Sequence, residues 1–171
     1  MFKLFALALA LVAGAAHADD ALHTDLPLAY LEQTQSDARN QPLVIFLHGF
    51  GSNEEDLFGI KDALPSTWTY LSARAPMPVD PSGYRWFAKK PGEGDYDGET
   101  ADLQRSAQLI ENFVSKATAK YHTQSDRVFL VGFSQGAIMA YEVGLRKPAI
   151  VRGIAAVSYT HLRAHETEAD L

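Results

Sequence analysis

Gly132-Phe133-Ser134-Gln135-Gly136 sets one serine between two glycines at the spacing of a nucleophile elbow. A serine hydroxyl attacks a carbonyl carbon only when a base takes its proton, so the chemistry this motif permits is acyl transfer. The pentapeptide alone is a weak signal, and its flanks carry more. Val128-Phe129-Leu130-Val131 runs straight into it as a buried strand. Residues 135–146 leave it as a helix that must end before Pro148. A strand that turns sharply into a helix holds its central residue in strained geometry, and glycines flank it because side chains there would collide with strand and helix. The plain alternative is an ordinary turn in which Ser134 caps a helix. Attack on a carbonyl creates an oxyanion, which two fixed backbone N–H groups usually stabilise. One candidate is the N–H of Gln135, the residue after the nucleophile. The other belongs to the loop after an earlier inner strand. His48-Gly49-Phe50-Gly51 stands at that place, with Phe50 N–H as the candidate. His48 invites assignment as the base, but the elbow logic puts the base later in the chain.

The elements that must position these residues alternate between two periodicities. Residues 26–34 read as an early strand and 36–41 as a polar turn. Leu43-Val44-Ile45-Phe46-Leu47 is a continuous apolar run, the pattern of a strand buried on both faces. Asn53 is a candidate N-cap for a helix that stops before Pro65, with Glu54, Glu55 and Asp56 suited to its positive end. Tyr70-Leu71-Ser72-Ala73 is a second short strand. Residues 75–98 form a long irregular excursion holding Trp86 and Phe87, which favours an ordered, packed loop. Residues 101–121 form the clearest helix, with Leu103, Ala107, Ile110, Val114 and Ala117 on one face. Ile154-Ala155-Ala156-Val157 reads as a fourth inner strand. Strands alternating with helices imply right-handed crossovers and a parallel sheet.

Three segments together resemble the phospholipase/carboxylesterase family of α/β-hydrolases, which includes small carboxylesterases and acyl-protein thioesterases. They are Leu47-His48-Gly49-Phe50-Gly51-Ser52-Asn53-Glu54-Glu55-Asp56-Leu57-Phe58, then Gly83-Tyr84-Arg85-Trp86-Phe87, then Gly132-Phe133-Ser134-Gln135-Gly136-Ala137. The resemblance runs from about Pro42 to Val157. It implies Ser134 as nucleophile and the Phe50 and Gln135 amides as oxyanion hole. It matches Trp86 to an aromatic position near the acyl site, and it makes His48 a structural loop residue. The implied fold is α/β-hydrolase-like: a mostly parallel sheet with helices on both faces, here missing its C-terminal strands. The implied activity is hydrolysis of a carboxylic ester or thioester through an acyl-serine intermediate, on a small-molecule substrate, with no cofactor and no metal. A non-catalytic binding domain that keeps the elbow for packing is the alternative from another class. A peptidase or polyester depolymerase is the alternative on the same fold.

The triad order of this fold is Ser, then Asp or Glu, then His. The text after Ser158 departs from the family. Residues 159–171 are polar, lack a strand pattern and read as a frame-shifted or read-through end. The chain is therefore expected to be a shortened esterase with no identifiable triad Asp and His, inactive as it stands. A minimal enzyme using tail residues is the alternative. Ser134, Asp170 and His165 could be assembled into a triad, or His161 and His165 into a metal pair, but a solvated charged tail containing Glu166 is the simpler reading. Glu93, Asp95, Asp97, Glu99 and Asp102 lack the spacing of a calcium loop and read as solvated.

With 15 Lys+Arg against 21 Asp+Glu and a net charge of −6, the chain does not read as a nucleic-acid binder. Zero cysteines exclude a disulfide scaffold, a thiolate zinc site and a cysteine nucleophile. The length allows one domain. Residues 1–18 read as a secretory signal: a cationic start, thirteen apolar residues, and Ala16-His17-Ala18 as the cleavage site. An anchor or a buried helix is the alternative, though the run is shorter than the ~20 residues of a span. The expected organisation is thus a signal over 1–18, a partial hydrolase domain over 19–158 and a tail over 159–171. The expected location is secreted or periplasmic, with no membrane span.

Overall fold

The computed structural model describes residues 21–35, 39–79, 81, 83–89 and 100–158. Its strands are β1 (Tyr30–Gln33), β2 (Leu43–Leu47), β3 (Thr69–Ala73), β4 (Met77–Val79), β5 (Gly83–Arg85), β6 (Val128–Phe133) and β7 (Gly153–Val157). The helices are α1 (Thr100–Lys120) and α2 (Gln135–Arg146), with a 3-10 helix over Phe58–Ala63 and another over Ser125–Arg127. Five strands form one sheet in the order β1-β3-β2-β6-β7. β2, β3, β6 and β7 run parallel, and β1 is antiparallel to β3.

The continuous apolar run of β2 is explained by its place between β3 and β6, with all five residues buried. On one face, Leu43, Ile45 and Leu47 pack with Leu71 and Leu130 against α1 and α2. α1 contributes Ala107, Ile110, Phe113, Val114 and Ala117; α2 contributes Ile138, Met139, Ala140 and Val143. Each large aliphatic or aromatic side chain so buried contributes about 1.5–3 kcal/mol. On the other face, Val44 and Phe46 pack with Tyr70 under Phe58 of the first 3-10 helix. A mostly parallel sheet with helical segments on both faces is the architecture the sequence implied.

Three elements differ from expectation. The segment after Asn53 is no long α-helix. Asn53 Oδ1 accepts the Glu55 N–H at 2.9 Å and closes a turn, and the 3-10 helix starts only after Leu57. Gly59 lowers helix propensity, and Phe58 alone of the 3-10 helix is buried, so no second turn has an apolar face to bury. The early strand shrinks to β1, although Leu28 and Leu26 still reach the core. β7 is not an inner strand among the described residues: it pairs with β6 alone, and Val157 is 55% exposed. The irregular excursion contains the β4–β5 hairpin. The signal segment and residues 159–171 lie outside the described residues, as do Glu93, Asp95, Asp97 and Glu99. Among the described residues, no helix is long and apolar enough to cross a membrane.

The connectivity fixes where a site belongs. From β2 the chain crosses to β3 on one side; from β6 it crosses to β7 on the other. The direction of crossing therefore switches between these two adjacent strands, at their carboxyl ends. Ligands in open α/β sheets bind at such a switch point. The two loops are those carrying Phe50 and Ser134.

Candidate active site

Ser134 has φ 51° and ψ −114°, a conformation L-residues rarely adopt. Two sets of bonds hold it there. Its N–H donates to Val157 O at 3.0 Å, and its carbonyl accepts from Ile138 N–H at 3.1 Å. The flanking glycines are required by contact. A Cβ on Gly132 would run into the Gly136 carbonyl, and one on Gly136 into the Leu47 carbonyl. The turn is therefore so tight that β6, α2 and the end of β2 touch through backbone alone. The Ser134 side chain caps no N–H of α2, so the alternative of a simple capping serine is not what the geometry contains.

The loop after β2 lies directly against this turn. A Cβ built on Gly49 would sit 3.5 Å from Ser134 Cβ and 3.0 Å from the Phe133 ring. Gly51, at φ 73°, takes the left-handed conformation that turns the loop back, and its N–H donates to Tyr84 O at 2.9 Å. Tyr84 N–H returns a bond to Ser52 O at 2.8 Å. Phe50 N–H donates to no backbone carbonyl among the described residues. Gln135 opens α2, so its N–H has no intrahelical acceptor. The Phe50 ring is 46% exposed.

Side chains brace the two loops. The Gln135 amide is buried; its Oε1 accepts from Trp86 N–H and its Nε2 donates to Phe87 O, both at 3.0 Å. Trp86 is fully buried and donates from Nε1 to His48 O at 2.9 Å. Its ring therefore supports the loop after β2 from behind. His48 is also fully buried. Its Nε2 accepts the Ala75 N–H at 3.0 Å, which leaves the proton on Nδ1 to donate to Gly49 O at 2.7 Å. Burial pushes its pKa below the ordinary histidine value, against the hydrogen bond to Gly49 and the charge of Glu54.

Glu54 was expected to serve a helix N-terminus. The structure gives it to Arg74 instead, in a bidentate ion pair with Nε at 2.6 Å and Nη2 as second donor. Arg74 also lies 4.7 Å over the Tyr84 ring. The pair ties the far end of the loop after β2 to the end of β3. Burial would raise the Glu54 pKa, but the Arg74 hydrogen bonds, a backbone hydrogen bond and the Arg74 charge together outweigh it and hold the carboxyl below its ordinary 4.5. A depressed folded-state pKa stabilises the fold above the unfolded value, and that contribution is lost as pH falls through the folded one. Glu54→Gln should therefore lower stability at pH 7 and flatten the loss between pH 4.5 and acid. Urea unfolding against pH reads this; parallel wild-type and variant curves would contradict it.

The described histidines do not reach Ser134 as bases. His48 has both ring nitrogens engaged. His23 bridges the outer edge of β1, four strand spacings or about 19 Å from β6. His122 bonds Asn40 before β2, at the amino end of the sheet and about 20 Å from the carboxyl end of β6. Asp102 accepts the Ala88 N–H at 3.1 Å and is no part of the site. His161, His165, Glu166 and Asp170 lie outside the described residues.

A mostly parallel sheet whose direction of crossing switches at a strand–serine–helix elbow is the α/β-hydrolase arrangement. A model of the phospholipase/carboxylesterase family matches residues 29–170, and the chain belongs to that family. It is 32% identical over 107 residues to an uncharacterized hydrolase of Schizosaccharomyces pombe, covering 57% of this chain and 44% of that protein. Among solved structures, it resembles a carboxylesterase from Mesorhizobium loti with TM-score 0.66 and 23% identity, over 81% of this chain and 67% of the other. It resembles esterase PE8 with TM-score 0.63 and 29% identity, over 72% and 60%. The chain spans about half the length of the curated relatives it matches. Its family is one of hydrolases and esterases.

Proposed function

We propose that the protein hydrolyses carboxylic esters or thioesters of small molecules through an acyl-serine intermediate at Ser134. The observation that carries this reading is the strained Ser134 at the β6–α2 turn with the Gly49–Phe50 loop packed against it. Phe50 N–H and Gln135 N–H hold the oxyanion, and Trp86 shapes the acyl side by supporting the loop. Losing one such donor costs ~100–1000-fold in rate. The base lies outside the described residues, because the three described histidines are occupied or distant. A serine without an adjacent base is a weak nucleophile, and an oxyanion hole alone leaves ~10³–10⁴-fold over water. Turnover by this 171-residue chain is therefore expected to be slow unless residues of 159–171 supply the base. A panel of short-chain p-nitrophenyl esters, the matching thioesters and peptide anilides tests the class. Esters and thioesters should turn over and anilides should not; hydrolysis of anilides alone would move the protein to the peptidases. We further propose export, with residues 1–18 removed. N-terminal sequencing of exported protein should then begin at Asp19, and an intact Met1 would contradict it.

A further inference from the structure

We propose that His48 positions and polarises the oxyanion donor. The inference rests on the reading of Phe50 N–H as that donor. Gly49 C=O and Phe50 N–H are two ends of one peptide group, which is planar and trans, so its carbonyl and its N–H point in opposite directions. The His48 Nδ1–H bond to Gly49 O, at 2.7 Å, is the shorter of two that hold the direction of Phe50 N–H, the other being from Ser52 N–H at 3.3 Å. The ring cannot turn away or change tautomer, because Ala75 N–H occupies Nε2 at 3.0 Å and Trp86 Nε1–H holds the His48 carbonyl at 2.9 Å. The result is a chain of donors from Ala75 N–H to imidazole, from imidazole to the Gly49–Phe50 peptide, and from Phe50 N–H to the oxyanion. Hydrogen bonds in series strengthen one another by roughly 10–30% each. The full burial of His48 keeps water from replacing any of them. His48 thus acts on the reaction through Phe50, without touching the substrate or moving a proton in the reaction.

Three substitutions separate this role from plain packing. His48→Asn keeps a donor near Nδ1 and loses the acceptor for Ala75. His48→Gln can accept from Ala75 and loses the donor to Gly49. His48→Leu loses both. In the full chain, kcat for a p-nitrophenyl ester should fall about 10–100-fold in His48→Leu and His48→Gln, with KM changed less than about threefold, the size expected for a misplaced catalytic group. His48→Asn should recover most of that kcat although it unfolds at a lower temperature than His48→Gln. A kcat that follows thermal stability across the series would overturn the proposal. Nuclear magnetic resonance gives a readout independent of turnover. His48 should show a protonated Nδ1 and a bare Nε2, and the Phe50 amide signals should move upfield in His48→Leu and His48→Gln but not in His48→Asn. A proton on Nε2, or Phe50 signals that stay put in His48→Leu, would overturn it too. Ester turnover that survives Ser134→Ala with these signals intact would instead sink the acyl-serine reading, and with it the catalytic task of the relay.

Discussion

Ser134→Ala should remove ester hydrolysis from any form of the protein that turns esters over, by at least a thousandfold in kcat, and leave folding intact. The size follows from what the side chain does. Oxyanion donors and substrate binding remain in the variant, but the covalent step has no nucleophile, and losses of ~10⁶-fold accompany nucleophile removal in serine hydrolases. Folding is spared because the turn is held by backbone. Ser134 N–H to Val157 O and Ile138 N–H to Ser134 O need no hydroxyl. Alanine also suffers no more than serine from φ 51°. Steady-state rates with a p-nitrophenyl ester, beside a urea unfolding curve, check both halves. A variant retaining more than about a thousandth of the rate would exclude acyl-serine chemistry.

Gly136→Ala should destabilise the fold by about 3 kcal/mol or more, a large effect for a single methyl group. The new Cβ would overlap Leu47 C=O and crowd His48 O, both backbone. Neither side can yield cheaply. Leu47 is paired with Ala73 on one side and Gly132 on the other. α2 is fixed by buried Ala137, Ile138, Met139, Ala140 and Val143. Whatever protein still folds would carry a displaced His48–Phe50 loop and lose rate as well. Gly59→Ala is the control: nothing lies within 4 Å of its added Cβ, and it should be neutral or slightly stabilising. Urea midpoints measure both variants, and a loss under about 1 kcal/mol at Gly136 would contradict the tight contact of elbow and β2.

What the sequence made legible was the part governed by local pattern. The unbroken apolar run of β2 announced burial on both faces, α1 lay within a residue of its expected bounds, and α2 ran over its expected range. The elbow was readable because Gly132 is demanded by the Gly136 carbonyl one turn on, although Gly136 itself is demanded by Leu47 on a distant strand. The remainder depends on partners far along the sequence. Nothing near Glu54 signals Arg74, twenty residues on, so its charge was credited to a helix end. The Gln135 residue, named only for its N–H, meets Trp86 and Phe87 with its side chain, forty-nine and forty-eight residues away. The β4–β5 hairpin was hidden because each strand has three residues, one of them Pro78, and β5 is completed by a bridge between Tyr84 and Ser52. His48 was read as a loop residue, but its tautomer needed the position of Ala75 N–H. No base was legible among the described histidines, since His48 has both ring nitrogens engaged and His23 and His122 lie far from Ser134 in the sheet.

The most direct measurement of the central claim is a covalent one. The protein is treated with a fluorophosphonate, and the adduct is weighed intact and mapped by peptide mass spectrometry. One phosphonyl group is expected per chain, on Ser134, with ester hydrolysis lost in proportion to labelling and no adduct in Ser134→Ala. A chain that hydrolyses esters while Ser134 stays unlabelled, or that carries the adduct on another residue, would contradict the account.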